Sequence, residues 1–141
     1  MKDSYVFPAV LTIEDDGISV EYPDLPGCFT CGDNEAEAIF MAKDALMLHL
    51  YGMEEDADEI PEPCSVTSLT LERNQVPVLV DVWMPAYRDK IASRSVNKTL
   101  TLPKWLNDLA DQKKVNFSHV LQTALKHYLG VENYEQIRRQ P

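Results

Sequence analysis

Four aspartates in the first third of the chain, Asp15, Asp16, Asp24 and Asp33, are of the type that holds catalytic metal ions. A two-metal hydrolytic centre needs several carboxylates converging on ions roughly 4 Å apart. Their setting suits simpler roles. Asp15-Asp16-Gly17 has hairpin-turn composition, and Asp33 stands just before a helical pattern, where short acceptor side chains cap. Cys28-Phe29-Thr30-Cys31 has the Cys-x-x-Cys spacing of zinc and redox sites. A structural zinc would have to recruit Cys64 and His49 from distant positions. A redox pair belongs at a helix N-terminus, whereas this pair falls on a strand or loop. One buried and one half-buried thiol are expected instead. His49 falls on an apolar helix face, the setting of a core histidine, and His119 and His127 read as surface residues. No Ser/His/Asp or Cys/His set and no Gly-rich phosphate loop stands out. Neither a metal nor a cofactor is expected.

A different chemistry lies in the last third. Over Val96–Leu102 the residues Asn97, Thr99 and Thr101 recur at every second position, alternating with Val96, Lys98, Leu100 and Leu102. That is a period-two strand with one hydrogen-bonding face and one largely apolar face. Asn can pair bidentately with adenine, and Thr can bond a base edge or touch a thymine methyl. Lys98 and Lys104 flank the polar set, where they suit phosphate contact. Lys113, Lys114 and Lys126 read as solvated charges. Pro103 ends the strand and suits a first helical turn. Trp105, Leu106, Leu109 and Ala110 form one short apolar helix face; Val120, Leu121, Ala124, Leu125, Tyr128 and Leu129 form another, ending at Gly130. Ser118 is the expected N-cap of the second helix. One strand and two helices within about 35 residues cannot bury their own apolar face. A second copy must supply the rest, and two such strands paired antiparallel make a ribbon that fits the DNA major groove.

The elements before this module alternate differently. Tyr5–Glu14 and Ile18–Tyr22 read as strands joined at the Asp-Asp-Gly turn, and Cys28–Cys31 as a short third strand. Asn34 and Glu37 have capping-box spacing. They open a helix whose face is Ala38, Ile39, Ala42, Ala45, Leu46, His49 and Leu50, with Gly52 as the expected stop. Glu54–Pro63 is an acidic, proline-bearing loop, and Val76–Trp83 a further strand. The fold expected is α+β: a β-β-β-α-β domain over 1–87, a linker over 88–94 and the strand-helix-helix module over 95–141.

Charge divides the same way. The chain has 141 residues and a net charge of −10, but residues 1–63 hold sixteen acids against two bases, Lys2 and Lys43, while residues 90–129 hold seven bases against two acids. The basic part suits a phosphate backbone. The acidic part would be repelled by one and suits a basic protein partner. No apolar run reaches membrane-spanning length, no signal-peptide pattern opens the chain, and three cysteines argue against a disulfide framework. A cytoplasmic protein is expected.

Residues 96–130 resemble the ribbon-helix-helix repressors, and the resemblance puts Asn97, Thr99 and Thr101 at the base-reading positions and the helix start at Ser118 on a phosphate. The front of the chain resembles the N-terminal domain of HicB antitoxins. The resemblance is carried by Tyr5-Val6-Phe7-Pro8-Ala9-Val10, by Asp15-Asp16-Gly17, and above all by Pro23-Asp24-Leu25-Pro26-Gly27-Cys28-Phe29-Thr30-Cys31-Gly32-Asp33. Together the two cover nearly the whole chain. The resemblance implies a partial ribonuclease H-like N-terminal domain, a ribbon-helix-helix C-terminal domain and no enzymatic activity. It implies an antitoxin of a type II toxin–antitoxin system that masks a small, basic, mRNA-cleaving HicA-like toxin and represses its own operon on operator DNA. Asp24 and Asp33, with the sheet, are expected at the toxin. The chain should be a homodimer through the C-terminal strand, or a larger assembly through the N-terminal domains. Two rivals stand beside this reading: a ribbon-helix-helix transcription regulator with a ligand-binding N-terminal domain, and a metal-dependent ribonuclease relying on Asp15 or Asp33.

Overall fold

The computed structural model describes residues 1–133. The chain divides into two compact units, Met1–Ser95 and Val96–Pro141; residues 134–141 of the expected C-terminal module lie outside the described residues. Among the described residues no helix is long and apolar enough to cross a membrane.

The first unit is built on β1 (Ser4–Glu14), β2 (Gly17–Glu21), β3 (Phe29–Gly32) and β4 (Gln75–Trp83), all paired antiparallel in the order β3-β2-β1-β4. β1 is central because it is long enough to pair with β2 along one edge and β4 along the other. The β1–β2 hairpin closes through Asp15-Asp16, with Gly17 opposite Glu14. The expected β-β-β-α-β order is present, with α1 (Glu35–Glu55) as the crossover from β3 to β4.

One side of the sheet packs on α1. Phe7, Ala9 and Leu11 of β1, Ile18 and Val20 of β2, and Val80 and Val82 of β4 meet Ala38, Ala42, Leu46 and Leu50, a line repeating every four residues. Burying a side chain such as Phe7 or Leu46 contributes about 1.5–3 kcal/mol. The small residues Ala38 and Ala42 let the helix approach closely, and Gly32 completes the fit: a Cβ there would stand 2.5 Å from the Ala38 nitrogen. Within this contact the Tyr22 hydroxyl donates to the Ala42 carbonyl at 2.6 Å.

The start of α1 is as expected. The Asn34 side chain accepts from the Glu37 N–H at 2.9 Å, and the Glu37 carboxylate reaches back to the Asp33 N–H at 2.9 Å. Its end is not. Gly52 lies inside the helix, which runs to Glu55 and closes on Ala57 in the left-handed region, φ +57°. The Asp58 N–H then bonds the Met53 carbonyl, which terminates the helix without glycine. Packing of Leu50 and Met53 on the core carries the helix past Gly52.

The segment expected as a linker, 88–94, is helical as far as Ala92. It belongs to α2 (Met84–Ala92), which follows β4 directly with Pro85 in its first turn and Met84 buried in the core. The second unit contains α3 (Lys104–Gln112) and α4 (Phe117–Leu129). Val96–Leu102, expected as a strand, is irregular and exposed within one chain. A strand is held by ladder bonds to a neighbour, and no described segment of the chain pairs with it.

Candidate functional site

The second unit has a consistent local architecture. Pro103 caps α3, its carbonyl accepting from the Leu106 and Asn107 N–H groups. α3 ends at Gln112 with Lys113 as its C-cap, and Lys114 takes the left-handed conformation, φ +53°, before α4. The expectation that Ser118 caps α4 is corrected: the cap is Asn116, whose side chain accepts from the His119 N–H at 3.0 Å. Ser118 is the second helical residue. Asn and Ser cap comparably well, so the earlier of the two adequate acceptors sets the boundary. Gly130 closes α4 in the left-handed region, as expected.

Asn97, Lys98, Thr99 and Thr101 are all exposed. Lys104 is exposed at the first position of α3 and ion-paired with Asp108 one turn on, a surface contact worth at most about 1 kcal/mol that a phosphate can displace. No described residue of this unit is buried. Yet it carries Trp105, Leu109, Val120 and Leu125, all substantially exposed, and Leu100 and Leu102 are exposed on the preceding segment. A unit with amphipathic helices and no buried side chain has not completed its core.

The acids of the first unit are sorted into separate places. Asp15, Asp16 and Asp33 line one surface hollow together with Glu14 and Glu35. Asp24 lines another, with His49, Asp56, Asp58 and Glu59. Among the described residues no three His, Cys, Asp or Glu side chains are grouped so as to hold a metal. Asp24 also has structural work: its carboxylate accepts from the Cys64 N–H at 3.0 Å and so ties the acidic loop to the Pro-Asp-Leu-Pro-Gly turn. Burial first, then the hydrogen bond to Asp24, push the Cys64 thiol above its usual range. Asp33 is exposed, and only its backbone N–H is engaged, by Glu37.

Cys28 is buried, with its sulfur 3.7 Å from the Ala45 carbonyl, and burial pushes its thiol up to about 11. Such a thiol is inert at neutral pH. Cys31 is exposed on β3 rather than half-buried, because it alternates away from the side that packs on α1. His49 is half-buried at the acidic hollow instead of lying in the core. His119 and His127 are exposed, with His127 Nδ1 2.8 Å from a Glu132 oxygen. Sequence reasoning passed over Phe29, Leu79 and Trp83, which are large, apolar and exposed on the sheet. The continuous apolar run of β4 was the available signal, since a strand apolar on both faces is normally covered on both.

This arrangement matches known proteins. Residues 7–125 match the family model described as the HicB-like antitoxin of bacterial toxin–antitoxin systems, and the chain belongs to that family. It is 28% identical over 119 residues to Antitoxin HicB 2 of Photorhabdus laumondii, a match covering 84% of each chain. It is 42% identical over 57 residues to an uncharacterised 14.9 kDa protein of Haemophilus phage HP1, where the match spans 40% of this chain but only 43% of the phage protein. Among solved structures it is similar to a chain of a toxin–antitoxin complex from Streptococcus pneumoniae, with a TM-score of 0.60 and 24% identity over 89% of this chain and 99% of that one. It is also similar to the antitoxin HicB of Burkholderia pseudomallei, with a TM-score of 0.50 and 19% identity over 87% and 98% of the two chains. These two similarities establish the fold.

Proposed function

We propose that this HicB-type antitoxin neutralises a HicA-like mRNA-cleaving toxin with its first unit and represses its own operon with its second. The observation that carries this is the division of properties between the units. The acidic unit has a finished core of its own. The basic unit has amphipathic helices and no buried residue among those described. The second unit is then completed by another copy of the chain. Val96–Leu102 pairs antiparallel with its counterpart, Leu100 and Leu102 turn into the shared core, and Asn97, Thr99 and Thr101 turn into the major groove as a ribbon-helix-helix pair does. Lys98, Lys104 and the α4 start at Ser118 meet phosphates.

The first unit, read as a partial ribonuclease H-like fold, works by binding and not by catalysis. Asp24 stands in a different hollow from Asp15, Asp16 and Asp33 and is engaged by Cys64, and among the described residues no three acidic, His or Cys side chains are grouped so as to hold a metal. Toxin and operator both place the protein in the cytoplasm. The test is co-expression with the adjoining reading frame. A small basic protein should co-purify, its RNA cleavage should stop at equimolar antitoxin, and the pair should retard DNA from the upstream region. RNA cleavage that continues with antitoxin in excess would refute the neutralising role. Equal retardation of operator and random DNA would refute the repressor role.

A further inference from the structure

The first half of β1 has an unpaired edge. Along the β1–β4 register the Met84 N–H donates to the Asp3 carbonyl at 2.8 Å and the Ile13 N–H to the Asn74 carbonyl at 2.9 Å. Bonds in that phase turn the backbone groups of odd-numbered β1 residues toward β4 and those of even-numbered residues away from it. At Val10, Thr12 and Glu14 the latter meet β2, opposite Glu21, Ser19 and Gly17. The next such pair in that register would be Pro8 with Pro23, and neither has an N–H. The ladder stops there, and the chain turns off at Tyr22, whose N–H bonds the Cys28 carbonyl at 3.1 Å. The outward N–H and C=O groups of Ser4 and Val6 are left without a hydrogen-bond partner among the described residues.

A groove of about 620 Å³ runs past this edge, lined by Ser4 to Phe7 and, from the loop after α1, by Asp58, Ile60, Pro61 and Glu62. Two N–H groups and two carbonyls in line along a strand edge are what an extended peptide pairs with. Val6, 45% exposed, with Ile60 and Pro61 gives that peptide apolar contact. Charge narrows the class further. Residues 54–63 hold six acids and no base. Glu54 is taken by Arg88. Asp58 is exposed, and Glu62 holds Lys2 at 3.4 Å in an exposed pair that a competing base can replace. Nucleic acid is repelled by such a wall. We propose that this groove takes an extended segment of another protein, added as a strand beside Ser4 and Val6, in which apolar residues alternate with lysine or arginine. The apolar set meets Val6, Ile60 and Pro61, and the basic set meets Asp58 and Glu62. The backbone of Ser4 and Val6 supplies affinity for any extended chain, and the two carboxylates supply the selection. This site goes beyond the antitoxin reading and does not depend on it.

The experiment uses the full chain and a capped pentapeptide of alternating valine and lysine at up to about millimolar concentration, read by amide hydrogen exchange. The Ser4 and Val6 amides should exchange at least about tenfold more slowly with the peptide present. The same peptide with glutamate in place of lysine should leave them unchanged. Val6→Pro removes one outward N–H and spares the β4 ladder, as Pro8 already does. It should weaken the peptide by about threefold to tenfold, the effect of one hydrogen bond. Asp58→Asn with Glu62→Gln should keep the edge and lose the preference for lysine over glutamate. Melting curves establish that each variant folds. Ser4 and Val6 amides that stay unprotected at the highest peptide concentration overturn the site. Wild-type peptide affinity in Val6→Pro moves the peptide off the edge and overturns it too. Equal binding of the lysine and glutamate peptides to the wild type overturns the basic class of ligand. Amides already protected without peptide, with protection that falls on dilution, give the edge to a second copy and also overturn the proposal.

Discussion

Arg88 grips Glu54 through two parallel hydrogen bonds, Nε to Oε2 at 2.9 Å and Nη2 to Oε1 at 2.6 Å, with 4% of the Glu54 side chain exposed. Nη1 reaches Asp3 at 3.2 Å, and Nη2 also donates to the Lys2 carbonyl at 2.7 Å. One side chain thus ties the last turn of α1, the chain's N-terminus and α2 together. This fork is why the stretch from residue 88 is helix against the domain and not a linker.

Breaking that fork from either end should be costly, because the remaining partner is half-buried and loses a charged hydrogen-bond partner. Arg88→Ala and Glu54→Ala should each lose about 1–3 kcal/mol, and the double variant less than the sum. Urea unfolding of the four proteins of the cycle measures this. Additive losses would mean that the two residues do not depend on each other.

Ala57 holds the left-handed position that ends α1, at a cost of about 1–2 kcal/mol relative to a right-handed residue. A glycine avoids that cost but loses some of the gain to the extra freedom of its unfolded chain. Ala57→Gly should therefore stabilise the first unit by about 0.5–1 kcal/mol. Gly32→Ala should do the opposite, since its Cβ meets the α1 backbone. Thermal melts of both variants test the pair of signs.

Alkaline pH should unfold the protein through Cys28 before other buried groups. Its folded value, about 11, lies above the ordinary 9.0. Stability from this group is complete below pH 9, because the thiol is then neutral in both states. It is lost as pH rises toward 11, because only the unfolded chain releases the proton. Burial, and then the neighbouring Cys28, raise the Tyr22 phenol, which extends the loss above pH 10. Cys28→Ser should decline less steeply than the wild type through pH 9–10, with Cys64, also raised, left to contribute. Parallel profiles would remove Cys28 as the cause.

If the second unit is completed by another copy, Leu100→Ala should make the apparent stability more dependent on protein concentration. The expected loss is about 2–5 kcal/mol, as for a buried leucine, although Leu100 is exposed within one chain. Asn97→Ala and Thr99→Ala should leave that stability unchanged and cost about 1–3 kcal/mol per lost base contact on operator DNA alone. Sedimentation and titration against operator and random duplexes separate the two effects. A Leu100→Ala protein as stable as wild type at every concentration would turn the strand the other way round.

Most elements of the first unit were legible in the sequence because their signals are local. The Asp15-Asp16-Gly17 turn, the Asn34–Glu37 cap and the four-residue rhythm from Ala38 to Leu50 depend on neighbours a few positions away. The same holds for Gly130 at the end of α4. The boundary at Gly52 was misjudged because packing of Leu50 and Met53, not the propensity of one glycine, decides where a docked helix stops. Arg88 could be recognised as a clasp only once Glu54 and Asp3, 34 and 85 residues away, were brought beside it. The fate of Asp24, tied to Cys64 across 40 residues, was hidden for the same reason. Which side of a strand packs on the helix was hidden too. Period-two alternation assigns Val6 and Leu79 to one face and Phe7 and Val80 to the other, but only the tertiary placement of α1 determines which face meets the helix. Local geometry is encoded in adjacent residues, whereas burial and pairing are properties of the space between segments distant in sequence.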